Sequence, residues 1–208
     1  MKRHIAWLMA CGVLAGCASE PSPIDAPPAP TASSASDAES ASHDSVDAPA
    51  AFHFKSGTLE IGDFDPYALG DDIFDPCTEI SPEEFAAAGF DNVEPFPEEY
   101  GGLLKGLSVC DVSKHGDVSS EGFGNNNADR DHIEAQTPLL NQYNSSKMPE
   151  IFVFGPKTGI GTHCYAQIDT VRGGFVSQVA GIEGHDDQDR TCQVAVQNLE
   201  SIFFAVLN

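Results

Sequence analysis

The chain has 208 residues, with 10 Lys and Arg, 32 Asp and Glu and six Cys, which suits one medium-sized domain with a tail. Lys2 and Arg3 lie in a removable leader, so the mature chain carries 8 bases, 32 acids and a net charge of −24. That balance argues against nucleic-acid binding, because the phosphate backbone would be repelled, and against electrostatic docking on anionic lipid headgroups.

Residues 1–16 are predicted to form a secretory leader, in which a basic start precedes an apolar run at residues 5–14. The run is shorter than the ~20 residues of a membrane span. It ends in the letters LAGC, which resemble a bacterial lipobox. Small residues before Cys17 admit the backbone to the peptidase, and the thiol then takes diacylglycerol. Two or more acyl chains, such as palmitate, hold a protein stably on a membrane.

We therefore expect a protein of the plasma membrane, lipid-anchored through Cys17 on the extracytoplasmic face. The alternative is a plain signal peptide cut at an Ala-rich site, with Cys17 incidental.

Residues 17–51 are predicted to be the lipidated Cys and a disordered tether. Of the 34 residues after Cys17 in this segment, 24 are Ala, Ser or Pro, and the six charged ones are all acidic. Such a sequence has almost nothing to bury and repels itself, so it stays unfolded and extended. As a flexible coil it separates its ends by roughly 30–35 Å. A stalk is the expected role.

Residues 52–208 are predicted to be a single domain, because they hold all 13 Phe and all 4 Tyr of the chain. Its net charge is −18, from 26 acids and 8 bases. Its four cysteines suit two disulfides in an exported protein, and three pairings are open. We favour Cys77–Cys110 with Cys164–Cys192, because each bond would join a helix end to a nearby strand. Zinc needs close Cys pairs, which are lacking, so we expect neither a metal nor a cofactor.

Hydrophobic periodicity predicts an α+β fold. Residues 52–61 alternate around a Ser-Gly turn, and Ser81 begins a short capping-box helix that ends at Gly89. One face of a long terminal helix at residues 190–207 is apolar. Further strands are predicted at residues 107–112, 150–154, 162–171 and 175–182, the last two joined by a tight turn at 172–174. We expect an antiparallel sheet with a short N-terminal helix and a long C-terminal helix packed on it.

Residues 113–149 show little pattern and are predicted to be mostly loop, with a helical stretch at 129–136. Acidic and amide side chains alternate within this segment as at the start of a calcium loop. The sixth position is Arg130 instead of Gly, and the twelfth is Gln136 instead of Glu, so a solvated loop is favoured over a weak cation site. The alternating residues are Asn125, Asn127, Asp129 and Asp131, and two other acidic clusters are interpreted in the same way: Asp63, Asp65, Asp71, Asp72, Asp75, and Asp186, Asp187, Asp189.

No catalytic motif occurs for a serine hydrolase, a zinc helix, a P-loop or a dinucleotide site. His163 and Cys164 are neighbours in a predicted strand and therefore point to opposite faces. His115, His132 and His185 are scattered through the domain, and paired carboxylates for glycoside hydrolysis stay open only as a minor alternative. We therefore expect that the protein is not an enzyme.

Asp75-Pro76-Cys77, followed by the helix that opens at Ser81, resembles the opening of an actinobacterial cell-envelope lipoprotein family of unknown function. Members combine a lipobox, a Ser/Pro/Ala stalk and this opening with three later cysteines, and Cys110, Cys164 and Cys192 match that layout. The resemblance implies an envelope-exposed, disulfide-bonded α+β domain. It implies no activity.

The preferred hypothesis is a non-catalytic, lipid-anchored binding or interaction module of the cell envelope. An envelope protein or a glycolipid is the expected partner. The first alternative is a small-molecule or lipid carrier or sensor, with a pocket between the sheet and the last helix lined by Phe152, Phe154 and Phe203. The second is a hydrolase of envelope polymers.

Replacement of Cys17 by Ser is expected to abolish acylation, because serine offers no thiol to the lipid donor. Growth of a producing strain with labelled palmitate should label the wild-type chain and leave the Cys17→Ser chain unlabelled. Cys11→Ser, which alters a cysteine inside the leader, serves as the control and should retain the label. Equal labelling of wild type and Cys17→Ser contradicts the lipobox interpretation.

Overall fold

The computed structural model describes residues 50–97, 107–156, 162–181 and 188–207, within the compact unit Ser45–Asn208. These residues form a hairpin, a six-stranded antiparallel sheet, short helices and one long terminal helix. This is the α+β class that the sequence predicts. The predicted leader, Cys17 and the tether up to residue 49 lie outside the described residues.

The elements follow in chain order, and the strands of the main sheet lie in the order β3-β4-β5-β8-β7-β6 with antiparallel neighbours. The strands are β1 Ala51–Phe54, β2 Gly57–Glu60, β3 Asp91–Pro95, β4 Val109–Ser113, β5 Ser120–Asn126, β6 Phe152–Phe154, β7 His163–Thr170 and β8 Gly173–Ala180. The helices are α1 Pro76–Glu79, α2 Pro82–Ala87, α3 Arg130–Glu134 and α4 Gln188–Ala205, with a 3-10 turn at Asn141–Tyr143. β1 and β2 pair with each other as a separate hairpin.

Aromatic side chains fill the core on one face of the sheet, here called the covered face. Phe123 of β5 and Phe175 of β8 lie 5.6 Å apart between ring centroids. Phe52 of the hairpin packs edge-on against Phe175 at 5.5 Å, and Phe90 packs against Phe123 at 5.0 Å. All four rings are almost fully buried. Rings of this size contribute large apolar areas, so this cluster joins the hairpin and the α2 region to the sheet.

Helix α4 covers the same face and confirms the predicted terminal helix. Its buried stripe includes Cys192, Val196 and Leu199, spaced as one face of a helix requires. Cys192 forms a disulfide with Cys164 of β7, which confirms one of the two predicted bonds. A bond that closes 28 residues of sequence stabilises the fold by about 3–4 kcal/mol in the chain-entropy account.

The predicted capping box at α2 is present. Ser81 Oγ accepts a hydrogen bond from the Glu84 N–H at 3.3 Å, and the Glu84 carboxylate accepts one from the Ser81 N–H at 2.8 Å. Gly89 then follows with φ +86°, a backbone conformation that favours glycine after a helix end. These local signals mark both ends of the helix, and two tertiary contacts add to them: the Lys55 N–H donates to the Glu84 carboxylate at 2.7 Å, and Lys114 Nζ donates to the Ala88 carbonyl at 2.9 Å.

Most of residues 113–149 lie outside helices and strands, as predicted, but the prediction missed β5, which is a central strand of the sheet. Its sequence Ser-Glu-Gly-Phe-Gly-Asn-Asn is poor in residues that favour strands. Gly122 fits there because a Cβ would lie 2.8 Å from the Cys110 carbonyl oxygen. The helix predicted at 129–136 is confirmed as α3, whereas the strand β3 was not predicted.

The second predicted disulfide is present only as two neighbouring thiols. Cys77 is half-buried in α1, and Cys110 is fully buried in β4. A hydrogen bond between the two thiols, together with burial, holds the pKa of Cys110 far above its ordinary value. Ser108 Oγ also donates to Cys77 Sγ at 3.1 Å. Of the four cysteines that the structure describes, Cys164 and Cys192 are bonded to each other and Cys77 and Cys110 are thiols, so the Cys77–Cys110 bond stays a prediction.

Oxidation after export is expected to join Cys77 to Cys110, because their thiols are already neighbours in the fold. Alkylation of the exported chain in denaturant without reductant should then add no label in residues 52–208. The Cys77→Ala chain should gain one label at Cys110, whose partner is gone. Two labels on the wild-type domain, at Cys77 and Cys110, contradict this prediction.

Candidate functional site

An open cavity of about 470 Å³, here called the acidic cleft, lies where the end of β2, the start of α3 and the strands β6 and β7 meet. The isolated bridge between Ile61 and Thr170 holds the end of the hairpin beside β7. The cleft has five carboxylates, one guanidinium and two aromatic rings in its lining. The residues are Ile61, Gly62, Asp63, Phe64, Asp129, Arg130, Asp131, Glu150, Phe152 and Asp169.

Asp169 is a half-buried carboxylate that two hydrogen bonds hold in this cleft. It lies in β7, where one oxygen accepts a hydrogen bond from Gln167 Nε2 at 2.7 Å and the other from the Arg130 N–H at 3.0 Å. Burial, and then the negative charges of Asp129 and Asp63, raise the pKa of Asp169. Among the residues that the structure describes, no basic side chain lies within ion-pair distance of it. The site thus concentrates negative charge that the fold itself does not neutralise.

Helix α3 positions the cation of the cleft. Asp129 caps the helix by accepting from the His132 N–H at 2.9 Å and contacts the His132 ring nitrogen Nδ1 at 2.7 Å. Burial alone would raise the pKa of Asp129, but these hydrogen bonds from His132 hold it below its ordinary value. The next residue, Arg130, lies with its guanidinium 5.4 Å from the centre of the Phe152 ring. A planar cation over an aromatic face is a favourable contact, so the cleft already holds one such pair.

The four residues that alternate as at the start of a calcium loop do not form one site in the structure. Asn125 is buried and bonds to the Ser108 N–H and to the Phe74 carbonyl, on the covered face of the sheet. Asp129 caps α3, and Asp131 lies in the first turn of this helix. In the described ranges, no group of three His, Cys, Asp or Glu side chains is placed to hold a metal ion. Of the acidic cluster at residues 63–75, Asp63 is the member that lines the acidic cleft. Of the cluster at residues 186–189, Asp186 and Asp187 lie outside the described residues.

A second polar cluster surrounds Glu121, whose side chain is 2% exposed. Glu121 Oε1 accepts from the backbone N–H of His115 at 2.6 Å, and Oε2 lies 2.9 Å from His115 Nδ1. Asn198 of α4 donates to Oε2 at 3.0 Å. This buried carboxylate therefore joins the end of β4 to the terminal helix. Sequence reasoning missed it because β5 was not predicted, although Glu121, Phe123 and Asn125 alternate as residues of one strand face do.

The pocket predicted between the sheet and the last helix is not formed by the three named Phe side chains. Phe152 and Phe154 alternate with Val153, which pairs with Ala166 on the covered face, so both rings point to the opposite face. Phe203 packs against Phe52, 5.2 Å away, on the covered side. Phe154 stacks on Tyr165 at 5.3 Å. Phe152 and Phe154 therefore lie on one face of the sheet and Phe203 on the other, so the three rings do not line one pocket.

The predicted cysteine sites and histidines are placed as follows. Cys164 is buried in its disulfide while its neighbour His163 is exposed, in agreement with the strand alternation. His185 lies outside the described residues. None of the helices in the described part of the chain is long and apolar enough to cross a bilayer.

Comparison with known proteins identifies the chain only at the level of a family. A model of the family described as "Protein of unknown function (DUF3558)" matches residues 12–203. No curated protein and no solved structure matches the chain. Chemistry at the acidic cleft therefore has to be argued from its own residues.

Replacement of Asp63 by Asn is expected to stabilise the fold at neutral pH by about 0.3–0.5 kcal/mol, because a charge that repels Asp169 is removed. Asp169 has a raised pKa in the folded state, so its ionisation costs stability as the pH rises from the ordinary aspartate range through that raised value. The gain from Asp63→Asn should be present above this pH window and vanish below it, where Asp169 is protonated and carries no charge to repel. Urea unfolding at two pH values measures it.

The control is Asp71→Asn, which removes an exposed acid from the same loop outside the acidic cleft. It should change stability less than Asp63→Asn does at neutral pH. Equal gains from the two variants mean that overall charge, and not the cleft, is responsible.

Proposed function

We propose a function for this chain, which belongs to the DUF3558 family of unknown function. It is a lipid-anchored, extracytoplasmic, non-catalytic binding module, and its acidic cleft binds a cationic ligand. The lipobox-like residues at 14–17 and the tether support the anchor and the location. The half-buried, unneutralised carboxylate of Asp169 in an open acidic cleft is the observation that carries the binding role.

Charge favours a cation over other ligand classes. Five carboxylates and one guanidinium line the cleft, and the predicted domain has a net charge of −18. A cation entering the cleft would relieve the repulsion that Asp63 and Asp129 exert on Asp169. The long-range field of the domain would also speed its approach.

The shape of the site favours an organic cation over a bare metal ion. The carboxylates are spread around the cleft, and the described residues hold no metal-binding group of three. The half-buried Phe64 ring provides apolar surface beside the charges, and Arg130 over the buried Phe152 ring illustrates the contact that a cation makes with an aromatic face. A basic segment of an envelope protein has the matching chemistry, with several cations along a flexible chain.

Fluorescence anisotropy with a labelled peptide of alternating Arg and Gly tests the proposal, and the same peptide with citrulline in place of Arg is the neutral probe. The full chain in mild detergent should bind the arginine peptide and not the citrulline peptide. The double variant Asp63→Asn/Glu150→Gln, which alters two exposed acids of the cleft, should weaken binding about tenfold.

The matched control is Asp71→Asn/Glu94→Gln, which removes the same charge from exposed positions outside the cleft. It should leave the affinity within about twofold of wild type. Equal weakening by both double variants would show that the peptide follows net charge alone, and equal binding of the citrulline peptide would remove the role of charge.

A further inference from the structure

A groove runs along the outer side of helix α4, on the other side of this helix from its disulfide stripe. Its helical wall consists of Gln197, Glu200, Ser201 and Phe204, which are spaced as neighbours on one helix face. Lys114 and His115, at the end of β4, and Lys147 complete a cavity of about 440 Å³, here called the helix groove. Two of the eight basic residues of the domain therefore meet in one place on an otherwise acidic molecule.

Lys114 brings a half-buried cation to this groove without a carboxylate partner. Its Nζ donates to the Ala88 carbonyl at 2.9 Å and to Ser201 Oγ at 2.7 Å, and lies 4.5 Å from the centre of the Phe90 ring. These partners are all neutral. Within the described ranges Lys114 forms no ion pair, although Glu121 acts on it at longer range. A half-buried ammonium of this kind is stabilised by an added anion.

One ring nitrogen of His115 is held by a contact with Glu121. Its Nδ1 contacts the buried Glu121 carboxylate at 2.9 Å, and Asn198 shares that carboxylate oxygen. Within the described residues no hydrogen bond to His115 Nε2 is formed, and this atom is a donor when the ring is protonated. The Glu121 contact thus sets the orientation of His115 before any ligand arrives.

Lys147 and Phe204 form the opposite rim. The side chain of Lys147 is 63% exposed, with Nζ 3.0 Å from Glu200 Oε2 and 5.9 Å from the centre of the Phe204 ring. Ser145 Oγ donates to the other Glu200 oxygen at 2.6 Å. Phe204 is 41% exposed, so the rim offers apolar surface beside an ammonium group. Glu200 is held by two donors and carries the groove's negative charge.

We propose that the helix groove binds the phosphate group of an organic phosphate, at a site separate from the acidic cleft. Lys114 and Lys147 supply two positive charges, and His115 adds a third when its ring is protonated. Two carboxylates oppose them, Glu121 beside His115 and Glu200 at the rim, and Lys114 is the cation that has no carboxylate within ion-pair distance among the described residues. Ser201 and Gln197 add hydroxyl and amide donors, which suit an anion with several acceptor oxygens. The exposed Phe204 ring would contact the organic part of the ligand. A lipid headgroup and a soluble phosphate ester share this chemistry.

Isothermal titration of the full chain in zwitterionic detergent tests the proposal with three probes: inorganic phosphate, glycerophosphoglycerol and short-chain phosphatidylglycerol below its critical micelle concentration. Binding of either organic probe at millimolar concentration or below supports the groove. Preference for the acylated probe identifies a lipid headgroup as the source, and equal binding of the two organic probes identifies a soluble phosphate ester. Absence of binding by both organic probes overturns the proposal.

Lys147→Gln should weaken binding of the organic probe about fivefold, since it removes one exposed ammonium from the site. Lys55→Gln is the matched control, because Lys55 has the same 63% side-chain exposure and one ion pair, with Glu83, outside the groove. It should leave binding unchanged. Equal effects of the two variants overturn the proposal, since both remove the same charge from the surface. Neither side chain is buried, so both variants are expected to fold.

Discussion

The sheet depends on the contact between Phe123 and Phe175, the rings that join its two central strands on the covered face. Rings from the hairpin and from the loop after α2 converge on this pair, at 5.0–5.5 Å between centroids. Because neither ring can shift without opening space for its neighbours, the packing fixes where β5 and β8 lie relative to the helices. The ends of these strands, and of the elements packed on them, are where the polar side chains gather.

Charge is distributed over the molecule in a way that composition conceals. The predicted domain has a net charge of −18, yet the described bases are mostly engaged in local pairs. Arg172 holds Glu79 with two hydrogen bonds and thereby ties the β7–β8 turn to α1. The acidic cleft has an excess of negative charge beyond its single guanidinium, and the helix groove gathers two ammonium groups. These two places differ from the rest of the surface because their charges are only partly matched within the fold.

Sequence patterns predicted the elements whose cause is local. The capping box at Ser81, the glycine at the end of α2 and the apolar stripe of α4 act over a few residues, and each is present in the structure. The predicted pairing of Cys164 with Cys192, which joins the start of α4 to β7, is also confirmed. Cys77 and Cys110, the second predicted pair, lie next to each other as thiols and are not bonded.

The pattern failed at β5, and the reason bears on function. Its inward positions are Glu121, Phe123 and Asn125, so polar side chains occupy two of three places where a strand facing the core has apolar ones. Each is tolerated because it has specific partners: Asn125 bonds to Ser108 and Phe74, and Glu121 to His115 and Asn198. Buried polar groups of this kind cost stability unless such partners are supplied from distant parts of the chain, which no local pattern encodes. Burial of the Glu121 carboxylate costs stability, and the same carboxylate orients His115 of the helix groove. The residue that made β5 hard to predict from the sequence therefore also positions a side chain of a candidate site.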